Sequence, residues 1–468
     1  PQSYTPNINK LAQQSVQFTN AHTNSPVCQS SRNSLFTGVY PHVSKDFGWT
    51  TLTKQVVLKN NKTFLQLFKE NGYQMYGTGK LLHKNQKSLW HEWGVPEGIN
   101  YGPHAFNGNK ITGHPSVPEP FRSINIVDGS FAPLSDVPKF STSTVTKRPA
   151  GWGYPRKSFR YVSENDRDLL PDEQHAQWAS NQLKQLEKQG DSKPFFMGIG
   201  FVRPHTPLYA PKRFFDMFPL ETLQLPNIKV SDINDSPFKD NYPMTQMGLA
   251  YFKALQDSYA DDDEGLKRVI QAYLACIAFM DEQVGKVLDA LNKSPFKDNT
   301  IVVFTSDHGY NLGEKNNLFK NNLWQRSTQV PMIIFDPRTN KKQTITDAVS
   351  LVDLFPTFMD YANAPDDNRK NEKGLPISGK SLKPLIEGND PYDRTALTVV
   401  KLWGKKGLRN FALRTKDWRY IKYGNNKEEL YHNNVDPSET MNLASKIEYT
   451  EIKKKLKSKL NKMIKNAK

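Results

Sequence analysis

Three times in this chain a long amphipathic segment ends and runs straight into a near-continuous apolar stretch. "TFLQLFKENGYQM" closes on Gly72 and enters "QMYGTGK", a strand that stops near Lys80. "DEQHAQWASNQLKQLEKQG" closes on Gly190 before "PFFMGIGFV", and "GLKRVIQAYLACIAFMDEQVGKVLDALNKS" passes through a short linker into "NTIVVFTSDHG". Helices that alternate with apolar strands build a mostly parallel sheet covered on both faces. The expected fold is therefore α/β, with helices sandwiching a large sheet. In such sheets ligands bind in the crevice beyond the carboxyl ends of the strands.

The residues at those ends are chemically loaded. Lys80 and His83 follow the first strand, Arg203 and His205 the second, Asp307 and His308 the third. A lone histidine is ordinarily structural. Three strands delivering cations, imidazoles and a carboxylate to one edge make a candidate site.

Residues 100 to 170 break the pattern, being rich in Gly, Pro, Ser and Asn with little periodicity, and are expected to form an irregular excursion that shapes a pocket wall. From about 393 the pattern changes again. "TALTVV", "NFALRTKDWRYIKY" and "EELYHN" are short strands, expected to form a small antiparallel sheet ahead of a C-terminal helix. With 468 residues the chain suits two units, placed at 1–390 and 391–468. No internal repeat is visible.

Composition narrows the function classes. Hydrophobic residues at 37% and aromatics at 11% exclude global disorder. Two cysteines, Cys28 and Cys276, exclude a disulfide framework, and no apolar run is long enough to span a membrane. Lys and Arg number 63 against 47 Asp and Glu, a net charge of +16 that attracts polyanions. The closing "KKKLKSKLNKMIKNAK" fits a packed helix with a basic outer face, and no nucleic-acid-binding signature accompanies the charge.

Cys28 stands in "CQSSRNSLFTG". A phosphatase loop of the Cys-x5-Arg kind needs five residues between thiol and arginine, and here there are three. A papain-type site wants a different local sequence, and a metal site more soft ligands nearby. Local reasoning leaves a buried small hydrophobe and a functional thiol both open.

The stretch resembles the signature of type I sulfatases of the alkaline phosphatase superfamily: Cys-x-(Pro/Ala/Ser)-x-Arg, then Thr-Gly at the ninth and tenth positions after the cysteine. The resemblance runs through "TPNINKLAQQSVQFTNAHT", "VSLVDLFPTFMDYANA" and "EELYHNNVDPSETMNLA", and so covers nearly the whole chain. "GKLLH" and "DHG", with "RPHTPLYAPKRFFDMFP" and "DHGYNLGEKNNLFK", are most similar to the iduronate 2-sulfatase-like branch. The fold this implies is alkaline phosphatase-like with a smaller C-terminal antiparallel subdomain.

The resemblance implies that a maturation enzyme oxidises Cys28 to formylglycine, whose hydrate attacks sulfur with the help of Ca²⁺. Asp307, His308 and the modified residue 28 match metal ligands. Arg32, Lys80 and Lys320 would hold the hydroxyls and sulfate oxygens, His205 would act as general acid with Lys320 assisting, and His83 would orient the diol or take its second proton. Ser30 departs from the commoner Pro or Ala of the signature. The family's first strand, which ends in paired aspartates that bind calcium, has no counterpart here, so we expect a preceding segment in the native protein and weak Ca²⁺ binding without it. The basic charge and the excursion point to a sulfated polysaccharide, first an algal galactan such as carrageenan. A glycosaminoglycan, ulvan or fucoidan is the alternative, and phosphoester or phosphonate hydrolysis the other. Arg203, Trp90, His104 and Arg156, with Trp93, Trp152 and Arg160, are candidates for lining subsites. A bacterial, periplasmic or secreted enzyme is expected, with no nucleic-acid partner.

Overall fold

The computed structural model describes residues 2–96, 98–140, 148–190, 193–226, 232–238, 247–339, 341–401 and 409–465. All three helix-to-strand steps form. The first helix, Phe64–Glu70, starts at a capping box in which Thr63 and Gln66 satisfy each other's backbone N–H, and its strand is Gln74–Gly79. Pro171–Gln189 stops at Gly190 in the left-handed conformation and feeds Phe195–Gly200. The 31-residue helix Asp262–Asn292 precedes Val302–Thr305. The "ADDDE" run opens that long helix, because the Asp261 carboxylate accepts the N–H of Asp263.

Gln74–Gly79 and Phe195–Gly200 pair in parallel, residue for residue. A second group of strands is mixed: Met332–Phe335 runs antiparallel between Val302–Thr305 and Val16–Phe18, and Gln343–Ile345 joins Val16–Phe18 in parallel. One face of this sheet is covered by a core in which Phe64 meets Phe36, Phe196, Phe355 and Phe358 within 6.2 Å. A second core gathers the long helix, the Leu208–Ala210 strand and aromatics of the 100–170 excursion, including Phe121, Phe131 and Trp152. Ala396–Lys401, Arg409–Arg414, Trp418–Lys422 and Glu428–His432 form an antiparallel meander, on which the helix Thr450–Lys465 buries Leu456 and Leu460.

Two features of this frame position the site. At the ends of the two parallel strands the backbones touch: Gly79 is left-handed (φ 77°), and a Cβ there would strike the Gly200 carbonyl. A Cβ on Gly200 would lie 2.4 Å from the Lys80 carbonyl carbon. The N–H of Lys80 donates to Gly200 O at 2.8 Å, so the segments carrying Lys80 and His205 leave from one point. The other feature is the helix Cys28–Thr37, which begins on the cysteine itself after extended Val27 and ends at left-handed Gly38.

Candidate active site

Cys28 is 1% exposed at the first turn of its helix, where backbone N–H groups lack helical partners. Its Sγ lies 3.1 Å from Lys320 Nζ and 3.2 Å from His308 Nε2. Burial pushes the thiol up, but Lys320, Lys80 and His308 around it, with His205 in contact, outweigh that and hold it well below the ordinary thiol range.

The two imidazoles are oriented alike. His308 Nδ1 is 2.8 Å from Gly309 O and His205 Nδ1 is 2.7 Å from Thr206 O, so each ring donates from Nδ1 to a carbonyl. That turns both Nε2 atoms inward. His205 Nε2 is 3.5 Å from Lys320 Nζ. Burial first, then repulsion from Lys80 and Lys320, lowers its pKa to about 3, so at neutral pH the ring is an acceptor beside an ammonium. Lys80, pushed down to about 8 chiefly by burial, donates to Tyr101 Oη at 2.7 Å with its Nζ 4.5 Å from that ring's centroid.

Asp307 is held from several sides. Arg32 Nε donates to its Oδ2 at 3.0 Å, and the hydroxyls of Thr23 and Ser31 donate to its carbonyl at 2.6 Å each. Ser31 sits on the cysteine helix, so the helix and the third strand end are locked together. Asp307, His308 and Cys28 present ligand atoms within 4.8 Å of one another. With His308 Nε2 unprotonated and an oxygen in place of the thiol, these donors fit one face of a divalent cation.

The structure brings Cys28, Lys80, His205, Asp307, His308 and Lys320 together, and corrects other expectations. Arg32 does not reach the thiol: its N–H groups go to Asp307 and to the carbonyls of Lys80 and Leu81, so it braces the cage. Arg203, 5% exposed, is spent on the carbonyls of Tyr209, His205 and Tyr101, which fixes the His205 turn and takes Arg203 out of substrate contact. Trp90 is packed in the sheet core, and Trp152 in the second core donates to Leu134 O. Trp93 is half-buried against Trp90, with its Nε1 donating to Val95 O. His104 is largely enclosed, its pKa lowered by burial to about 4. None of these four lines an open subsite. Arg160 is paired with Asp166, and Arg156 is exposed on the turn after Tyr154. His83 is exposed at the cage's rim, its pKa lowered by partial burial and then by Lys80.

Sequence reasoning missed Tyr101 and Asp128, both in the irregular excursion. Asp128 accepts the Thr206 hydroxyl at 2.5 Å, next to His205. No local signal marks either: Tyr101 is met by Lys80, 21 residues before it, and by Arg203, 102 residues after it, and Asp128 by Thr206, 78 residues after it.

The α/β fold that gathers this cage beyond its strand ends is shared by solved sulfatases and phosphonate monoester hydrolases. The sulfatase family model matches residues 1–364, and that of the C-terminal domain of N-sulphoglucosamine sulphohydrolase matches 313–466. The chain belongs to the sulfatase family, enzymes that hydrolyse sulfuric esters and generally use formylglycine and a divalent metal. It is 33% identical over 458 residues to a sulfatase of Formosa agariphila, covering 95% of this chain and 79% of that one. Mouse iduronate 2-sulfatase is 30% identical over 479 residues, covering 89% and 80%. A crystal structure solved with a neocarrahexaose shares the fold, with a TM-score of 0.61, 21% identity and coverage of 99% and 88%. Among the described residues no helix is long and apolar enough to cross a membrane.

Proposed function

We propose that this sulfatase removes O-sulfate from a sulfated polysaccharide or oligosaccharide, with an algal galactan such as carrageenan as first candidate. The observation that carries the reading is the convergence of Lys80, Lys320 and two inward imidazole nitrogens on one buried sulfur, a pocket for an anion beside a nucleophile. The bound neocarrahexaose of a fold neighbour supports a galactan, and the likeness to iduronate 2-sulfatase supports a glycosaminoglycan as the alternative. A bacterial, periplasmic or secreted setting fits a polysaccharide substrate.

Residue 28 as a formylglycine hydrate would supply an oxygen nucleophile, and a divalent ion, Ca²⁺ in our reading, held by Asp307, His308 and residue 28, would supply Lewis acidity. Lys80 and Lys320 bind the sulfuryl oxygens and neutralise charge that grows on them, a preorganised arrangement that needs no rearrangement during reaction. Arg32 keeps Asp307 and the Lys80 turn in register. The entering anion offsets the repulsion that adds to burial in keeping His205 neutral, so His205 Nε2 takes up a proton from solvent and delivers it to the departing sugar oxygen, with the Lys320 ammonium 3.5 Å away assisting. His83 takes the second proton at residue 28 when sulfate leaves.

The test is sulfate release from carrageenan, ulvan, fucoidan and heparin-type oligosaccharides, with phosphate and phosphonate esters assayed in parallel. Intact mass is measured on the same protein to read conversion of the Cys28 thiol to an aldehyde. Sulfate release from a saccharide is expected. Faster turnover of the phosphorus esters, or an active protein with an unmodified thiol, overturns the proposal.

A further inference from the structure

Among the described tryptophans one is exposed: Trp49, at 47%. Its setting is rigid. On the cysteine helix, Gln29 Nε2 donates to Asn33 Oδ1 at 2.9 Å, and Asn33 Nδ2 donates to Asp46 Oδ2 at 2.7 Å and to Thr50 O at 3.1 Å. Asp46 is 3% exposed, so a buried polar network anchors the loop on both sides of Trp49 to the helix that carries Cys28. The indole rests on His83, ring centroids 5.2 Å apart, and His83 follows directly on the Lys80 turn. His83 lies close enough to feel the charges of Lys80, Cys28, Arg32 and Lys320. Two of the elements that build the cage thus converge on one fixed aromatic face left open to water.

Leaving an indole in water forgoes the burial free energy of a large apolar surface. A rigid aromatic face beside an anion pocket suits a ligand with an apolar face and a nearby anion. A pyranose has such a face in its axial C–H groups, and an O-sulfate places the anion a few bonds away. We propose that Trp49, backed by His83, is the stacking platform for a pyranose ring of the substrate. The proposal rests on the saccharide reading above and adds the residue that recognises the sugar rather than the sulfate.

The experiment compares wild type with Trp49→Ala and Trp49→Phe, using the oligosaccharide panel named above and inorganic sulfate as an inhibitor that has no ring. The ratio of saccharide KM to the sulfate inhibition constant is expected to rise about tenfold in W49A and to return most of the way in W49F. Calorimetric titration of the same oligosaccharides into Cys28→Ser protein, with and without W49A, reads the same loss without turnover. A parallel rise in both constants, or an unchanged ratio, overturns the platform while the saccharide reading stands. A wild type that neither binds nor desulfates any saccharide overturns both.

Discussion

In the proposed mechanism the chemistry turns most on His205, because burial first, and then the cations proposed to hold sulfate, strip the imidazole of its proton. Replacing it with alanine is expected to lower kcat on a sugar sulfate by about 10² or more. The loss should be much smaller on 4-nitrophenyl sulfate, whose leaving group needs no proton. Equal losses on both substrates would show that His205 positions rather than protonates, and circular dichroism checks that the fold survives. Asp46 carries a different prediction. Burial, only partly offset by the Asn33 amide and the Gly48 N–H, raises its pKa from 3.8 to about 6. A carboxyl whose folded pKa exceeds its unfolded one stabilises fully below the unfolded value, and the contribution fades as pH rises through the folded value. Asp46→Asn removes that dependence, so the stability of D46N relative to wild type should increase between pH 4 and pH 7 by up to about 3 kcal/mol. Thermal melts across that range measure it, and a constant difference would refute it. The motif residues of the cage were legible because each stands at a strand end or in a fixed spacing. Trp90, His104 and Arg203 were not, since residue type says nothing about which face of the fold a side chain takes. Trp90 and Arg203 are as buried as core leucines.

Among the elements, the segment that delivers Lys320 is the most constrained. Lys315, Asn316, Phe319 and Asn321 all have positive φ, from 51° to 75°, conformations that cost of order 1 kcal/mol or more each and persist only when the surroundings impose them. The surroundings are the meander. Lys315, 1% exposed, is 2.8 Å from Asp232 Oδ1 and 5.2 Å above the Tyr431 ring. Glu429 of the same strand accepts from Trp324 Nε1 at 2.9 Å, from the hydroxyls of Tyr423 and Tyr431, and from Ser236. Arg419 donates to Leu323 O and to Glu439. Lys315→Met leaves Asp232 buried without its cation, a change that costs about 3–5 kcal/mol in such pairs. The melting temperature should fall, and kcat should fall with it as Lys320 loses its place. A K315M enzyme with wild-type kcat at a temperature where it is folded would separate the loop from catalysis. The helices and strands were legible in the sequence because their periods are local. This loop was not, for its left-handed residues are mostly not glycine and their conformation comes from a sheet a hundred residues further on.

For the molecule as a whole, 63 basic residues exceed 47 acidic ones, a positive balance that suits the anionic substrate proposed above. Exposed charges are screened over about 8–10 Å at ordinary ionic strength, so association with a long polyanion should weaken as salt is raised. KM for a sulfated polysaccharide is expected to increase several-fold between low and high NaCl, and KM for 4-nitrophenyl sulfate much less. Equal responses would place the whole salt effect inside the cage.

The contact of Gly79 with Gly200 reaches further than the geometry of two strands. At the point where the cation-bearing and imidazole-bearing segments part, neither backbone leaves room for a single carbon. A methyl group added at Gly200 has to displace the Lys80 backbone, and one added at Gly79 the Gly200 carbonyl to which the Lys80 N–H donates, so either would act as a lesion of the proposed anion pocket although it touches no reacting atom. A survey of substitutions scored by activity alone would therefore rank two residues without side chains beside Lys80 and His205, and only the difference between lost turnover and intact fold would tell fulcrum from reagent.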